Sequence, residues 1–97
     1  YKLVSRELHP HDTVVDVGGV PIGGSSIAVI AGPCAVETQE QLYASAKAAK
    51  DAGATILRAG AYKPRTSPYG FSGHGPAGLS ILREVADELG MPVVTEV

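Results

Sequence analysis

Five consecutive apolar residues, Ile27-Ala28-Val29-Ile30-Ala31, constrain the fold of this chain more than any other stretch. The run is too short for a helix and shows no polar alternation, the pattern of a strand buried on both faces in a parallel sheet. Two further strand-like runs follow, Ala54-Thr55-Ile56-Leu57-Arg58 and Pro92-Val93-Val94-Thr95-Glu96-Val97. Helical patterns fill the gaps between them. Thr38 with Gln41 three residues on predicts a capping box, and the helix runs through Leu42, Ala46 and Ala49 to Gly53, a good C′ residue. Its apolar face is mostly alanine, which lets a helix lie close to a sheet. A second helix is predicted from near Pro76 to Gly90, with Leu79, Leu82, Val85, Ala86 and Leu89 on one face. Strand, helix, strand, helix, strand is the order of a parallel sheet with crossover connections.

Three strands and two helices cannot cover both faces of such a sheet in the Rossmann manner, and no Gly-x-Gly-x-x-Gly follows the first strand. The expected fold class is α/β, the first part (about three βα units) of a (β/α)8 TIM barrel, which takes roughly 250 residues when whole. A small self-contained α/β layer protein is the alternative. Ahead of the first strand, Thr13-Val14-Val15-Asp16-Val17, Gly18-Gly19 and Val20-Pro21-Ile22 read as a β-hairpin on a two-residue glycine turn. It would be free to plug the barrel's N-terminal face. Residues 1–24 thus read as an N-terminal extension with hairpin, and residues 25–97 as an incomplete barrel domain. In the polar opening stretch, His9 and His11 flank Pro10; they could ligate a metal but read as surface linker.

The loop after the second strand is the chemically distinctive part. In Arg58-Ala59-Gly60-Ala61-Tyr62-Lys63-Pro64-Arg65-Thr66-Ser67-Pro68-Tyr69-Gly70, Arg58, Lys63 and Arg65 have no acidic residue near them in sequence; none occurs between Thr55 and Arg83. Burying unpaired cations costs several kcal/mol each. The loop is therefore either solvated or made for an anion. Arg offers a planar fork for phosphate or carboxylate, Lys a mobile point charge, Thr66 and Ser67 hydroxyl donors. Pro64 stiffens the backbone between the two cations. The segment from Gly60 to Gly75 is long for a compact α/β unit, as functional loops are.

Formal net charge is −2 overall, which argues against nucleic acid as the main partner. No apolar run is long enough to span a bilayer, so no membrane partner is expected. A single cysteine fits a reducing compartment, and cytoplasm is the expected location. Position 1 is Tyr, so the chain reads as processed or excised from something longer.

Barrel active sites lie at the carboxyl ends of the strands, where Cys34, Arg58 and Glu96 fall. Cys34 is open between a small buried hydrophobe and a metal ligand whose partners lie elsewhere. Glu96 is open between a barrel-mouth acid and an ion pair with Lys63 and Arg65. Tyr62 and Tyr69 read as loop-packing residues, and His74, between Gly73 and Gly75, as loop geometry.

Ala31-Gly32-Pro33-Cys34-Ala35-Val36-Glu37, the stretch from Leu57 to Tyr69 and Val94-Thr95-Glu96 together resemble 3-deoxy-D-arabino-heptulosonate 7-phosphate (DAHP) synthase of the type I β subclass. The resemblance covers nearly the whole chain. The sister synthase of 3-deoxy-D-manno-octulosonate 8-phosphate shares Gly-Pro-Cys but typically reads Lys-Ala-Asn-Arg-Ser where this chain has Lys-Pro-Arg-Thr-Ser. The resemblance implies the first step of the shikimate pathway, an aldol-type condensation of phosphoenolpyruvate with erythrose 4-phosphate that releases phosphate. It implies that Arg58 and Lys63 hold phosphoenolpyruvate, with Lys63 catalytic beside the reacting atoms. Arg65 and Thr66 would grip the aldose phosphate, with Pro64 and Ser67 in the same substrate-binding loop, and Glu96 would stand by the phosphoenolpyruvate site through water. Cys34 would be one ligand of a divalent metal (manganese, iron, zinc or cobalt) whose other ligands lie outside the chain. The alternatives are an octulosonate-type synthase and a non-catalytic phosphate-binding half-barrel. By itself the chain is expected to be inactive, and either a homo-oligomer or poorly folded, because the rest of the barrel is missing.

Overall fold

The computed structural model describes residues 5–8, 10–61 and 75–96. A hairpin comes first: β1 (Val15–Val17) pairs antiparallel with β2 (Val20–Ile22), Val17 opposite Val20. Gly18 and Gly19 both have positive φ, 54° and 92°, as a two-residue turn of this kind requires.

Three strands then form a parallel sheet in the order β3 (Ile30–Ala31), β4 (Ile56–Arg58), β5 (Val93–Val94). Ile30 registers with Ile56, Ala31 with Leu57 and then Leu57 with Val93, so Ala31, Leu57 and Val93 line up across one face. The crossovers are α1 (Gln39–Asp51) and α2 (Pro76–Leu89), with bounds close to those read from the sequence. Thr38 caps α1: its Oγ1 accepts from the Gln41 amide at 3.0 Å. The reciprocal bond lands one residue early, Gln41 Oε1 accepting from the Glu37 amide. Pro76 occupies the first turn of α2, where its missing N–H costs nothing, and Gly90 ends the helix in the left-handed conformation. Lys50, in the last turn of α1, reaches across to donate to the Leu89 carbonyl at 2.6 Å.

Both helices lie on the same side of the sheet. One apolar cluster joins Leu42 and Ala46 of α1, Leu82, Val85, Ala86 and Leu89 of α2, and Leu57 of β4, with Ala31 and Val93 packed against it. The alternate residues, Ile30, Ile56, Arg58 and Val94, belong to the opposite face. On that face the central Ile56 is covered, but Ile30 and Val94 on the outer strands are 48% and 43% exposed. This corrects the reading of Ile27–Ala31 as buried on both faces. Ile27 is 92% exposed, and only Ile30 and Ala31 belong to the ladder, with the Val29 carbonyl accepting from the Thr55 amide. The described residues supply two helices to one side of the sheet and no layer to the other.

The hairpin sits at the amino-terminal end of the sheet. Gly18 packs so closely on Pro92, just before β5, that a Cβ there would fall 2.9 Å from the proline Cβ. A shallow cleft at this end is lined by Gly18, Gly19, Val20, Ala54, Thr55 and Pro92, among others.

Candidate functional site at the carboxyl end of the sheet

The opposite end of the sheet gathers the residues that the sequence singles out, Cys34, Arg58 and Glu96. β3 leads into Gly32-Pro33-Cys34, which crosses over the end of β4. The crossing is so tight that a Cβ on Gly32 would land on the Arg58 carbonyl oxygen, so this position excludes any larger residue. Pairing continues past the regular ladder. Ala35 and Gly60 form a parallel bridge, the Gly60 amide donates to the Cys34 carbonyl at 3.3 Å, and the Val36 amide donates to the Gly60 carbonyl at 2.9 Å. Ala59, Gly60 and Ala61 are all buried, as small residues can be where backbones converge. On the other side, Thr95 Oγ1 donates to the Ala59 carbonyl at 2.7 Å.

Arg58, Ala59, Gly60, Val94, Thr95 and Glu96 line a small cleft of about 170 Å³ at this end. Glu96 leans over Gly60: a Cβ built on the glycine would lie 3.8 Å from Glu96 Oε1. Three residues singled out from sequence therefore stand on one rim, Cys34 after β3, Arg58 ending β4 and Glu96 after β5, and the side of each is exposed to solvent. Among the described residues no three His, Cys, Asp or Glu side chains come together as a metal cage. Cys34 can thus be one ligand at this rim, and its partners would have to come from outside the described residues.

Lys63, Pro64, Arg65, Thr66 and Ser67, with Tyr62, Tyr69 and His74, lie outside the described residues, as does His9; His11 is exposed. The segment that carries the cations is nonetheless rooted at the rim. The Gly75 amide donates to the Ala61 carbonyl at 2.9 Å, so the two residues that flank the 62–74 segment meet beside Gly60. A larger concavity, about 780 Å³, lies on the helix side, lined by Thr38, Gln39, Glu40, Tyr43 and Glu88. Two acids and no cation give it the wrong sign for a phosphorylated ligand. Among the described residues no helix is long and apolar enough to cross a membrane.

Ala59, Gly60 and Thr95 carry no charge or motif that marks them as site residues in the sequence. The small-residue run Ala59-Gly60-Ala61 was the available signal, since three such residues directly after a strand mark a close approach of backbones.

The model of the DAHP synthetase I family matches residues 10–97, nearly the whole chain and every rim residue. The chain belongs to that family. A phospho-2-dehydro-3-deoxyheptonate aldolase from Thermotoga maritima is 58% identical over 96 residues, covering 99% of this chain and 28% of the relative. The crystal structure of a DAHP synthase from the same organism superposes with a TM-score of 0.91 at 57% identity, over 100% of this chain and 28% of that one. A 2-dehydro-3-deoxyphosphooctonate aldolase from Citrifermentans bemidjiense is more distant, 34% identical over 91 residues, covering 86% of this chain and 33% of the relative. This member of the DAHP synthetase I family therefore spans little more than a quarter of the length of its Thermotoga relatives.

Proposed function

We propose that the protein containing this chain condenses phosphoenolpyruvate with erythrose 4-phosphate to give DAHP and inorganic phosphate, as a divalent-metal-dependent enzyme built on a (β/α)8 barrel. The observation that carries this reading is the common rim: Cys34, Arg58 and Glu96 stand at or just past the carboxyl ends of three successive parallel strands, and the loop holding Lys63 and Arg65 is rooted there at Ala61 and Gly75. Sequential strand order with both helices on one side is the arrangement of a rolled sheet, and a half-covered opposite face is what further strands would close.

Both substrates are anions, so the chain's own contribution is mainly one of binding and aim. Arg58 holds the carboxylate or phosphate of phosphoenolpyruvate, with Lys63 beside the reacting carbons. Arg65 and Thr66 hold the phosphate of the aldose, framed by Pro64 and Ser67. Glu96 works on the phosphoenolpyruvate side through water. Cys34 contributes one ligand to a divalent metal, which when bound supplies Lewis acidity to the aldehyde oxygen. The new bond joins the methylene carbon of the enol to the aldehyde carbon; one water is consumed, and the enol phosphate departs as inorganic phosphate. Fixing two anions with their carbons in contact replaces a bimolecular encounter by an intramolecular one.

The choice of aldose is the point at which two related chemistries separate. Phosphoenolpyruvate brings three carbons, so a four-carbon aldose gives the heptulosonate and a five-carbon aldose the octulosonate. The 58% identity to a heptonate aldolase against 34% to an octonate aldolase supports the four-carbon substrate. The full-length enzyme should release phosphate from phosphoenolpyruvate with erythrose 4-phosphate and not with a five-carbon aldose phosphate. In Arg65→Ala the KM for erythrose 4-phosphate should rise by about ten- to a hundredfold, the worth of a charge-assisted hydrogen bond. An unchanged KM would remove Arg65 from the aldose site, and turnover of the five-carbon substrate alone would replace the reading.

A further inference from the structure

The last strand has a short ladder, two residues long, Val93 and Val94, and the last register pair joins Val94 to Arg58. Thr95 and Glu96 lie beyond it. What ties them down is a side chain: Thr95 Oγ1 donates to the carbonyl of Ala59, the residue directly after Arg58, in a short, partly buried bond of 2.7 Å. Ala59 is itself fixed from the other side, because Gly60 is bonded through both its amide and its carbonyl to the Cys34–Val36 segment. The hydroxyl therefore fastens the end of β5 to a backbone that is already rigid. Its neighbours in sequence are the register partner of Arg58 and the carboxylate that overhangs Gly60.

We infer that Thr95 is a positioning residue: its hydroxyl sets where Glu96 stands relative to Arg58 and Gly60, and so shapes the phosphoenolpyruvate side of the cleft. It acts through the bond to Ala59 and not as a donor to substrate. The kinetic form of the inference rests on the function proposed above, while the geometric form does not. Thr95 borders the same cleft as Arg58 and Glu96, but its hydroxyl proton is held by the Ala59 carbonyl. Its effect on the reaction passes through the backbone alone.

Thr95→Val keeps the shape and β-branching and removes the donor. In the full-length enzyme the KM for phosphoenolpyruvate should rise about fivefold, the effect of one ordinary hydrogen bond, with kcat and the KM for erythrose 4-phosphate close to wild type. Thr95→Ser, which keeps the hydroxyl, should restore the wild-type KM. An unaltered phosphoenolpyruvate KM in Thr95→Val would overturn the inference. So would a loss of all three parameters together with a lowered Tm that serine fails to restore, because that is the signature of a merely structural residue. A crystal structure of Thr95→Val supplies an arm that needs no activity: Glu96 should be displaced from Gly60, and an unmoved carboxylate refutes the inference. Wild-type enzyme that releases no phosphate from phosphoenolpyruvate would sink the proposed function and leave this second arm to decide on Thr95.

Discussion

The two faces of the β3–β4–β5 sheet are made by alternate residues of the same strands, yet they are in different condition. Ala31, Leu57 and Val93 face two helices, and Leu57 is wholly buried among Leu42, Leu82, Val85 and Leu89. Ile30, Ile56, Arg58 and Val94 face the other way, where the described residues supply no layer and the outer two aliphatics are about half exposed. Composition alone does not separate the faces, since both are mainly aliphatic. The distinguishing residue is Arg58, a cation at the end of the open face and none on the closed one. One face holds the segment together, and the other is left open among the described residues.

The comparison can be broken most severely at Leu57. Leu57→Ala removes a fully buried side chain between two helices and should cost about 2–5 kcal/mol in urea denaturation; a loss under about 1 kcal/mol would mean the helix layer is not the core. Next in size is Arg58→Ala. On the proposed function, losing this cation should raise the KM for phosphoenolpyruvate in the full-length enzyme by about ten- to a hundredfold, while the urea midpoint hardly moves because the side chain is exposed. A large stability loss with unchanged KM would turn Arg58 into a structural residue. Ile30→Ala has the smallest effect in the 97-residue chain, about 1 kcal/mol or less, because the side chain already meets water. The same substitution in the full-length protein should cost about 2–5 kcal/mol if further strands bury the face. Equal small losses in both would leave the open face open.

The helices were legible because their ends carry their own chemistry: Thr38 as an N-cap acceptor, Pro76 in a first turn, Gly90 after a last one. Strand existence and order were legible too, but strand extent was not. Apolar character says that Ile27–Ala31 can be buried, and says nothing about which neighbour is there to bury it. Cys34, Arg58 and Glu96 could be brought to one rim from the rule that parallel strands point the same way. Gly60 and Thr95 could not, since a backbone stitch and a hydroxyl-to-carbonyl bond leave no periodic mark. The basic loop shows the converse case. Its composition leaves a solvated loop and an anion cradle open, Lys63 and Arg65 lie outside the described residues, and the structure adds only where that loop is rooted.

The contact between Gly18 and Pro92 has a consequence in time as well as in space. The hairpin is made early by the ribosome, and an isolated two-stranded ribbon is marginal in water. Its docking surface is shared between the starts of β4 and β5, so it is incomplete until Pro92 has emerged, after both helices have been synthesised. During synthesis the ribbon must therefore wait undocked. Its docking registers that the third strand has arrived.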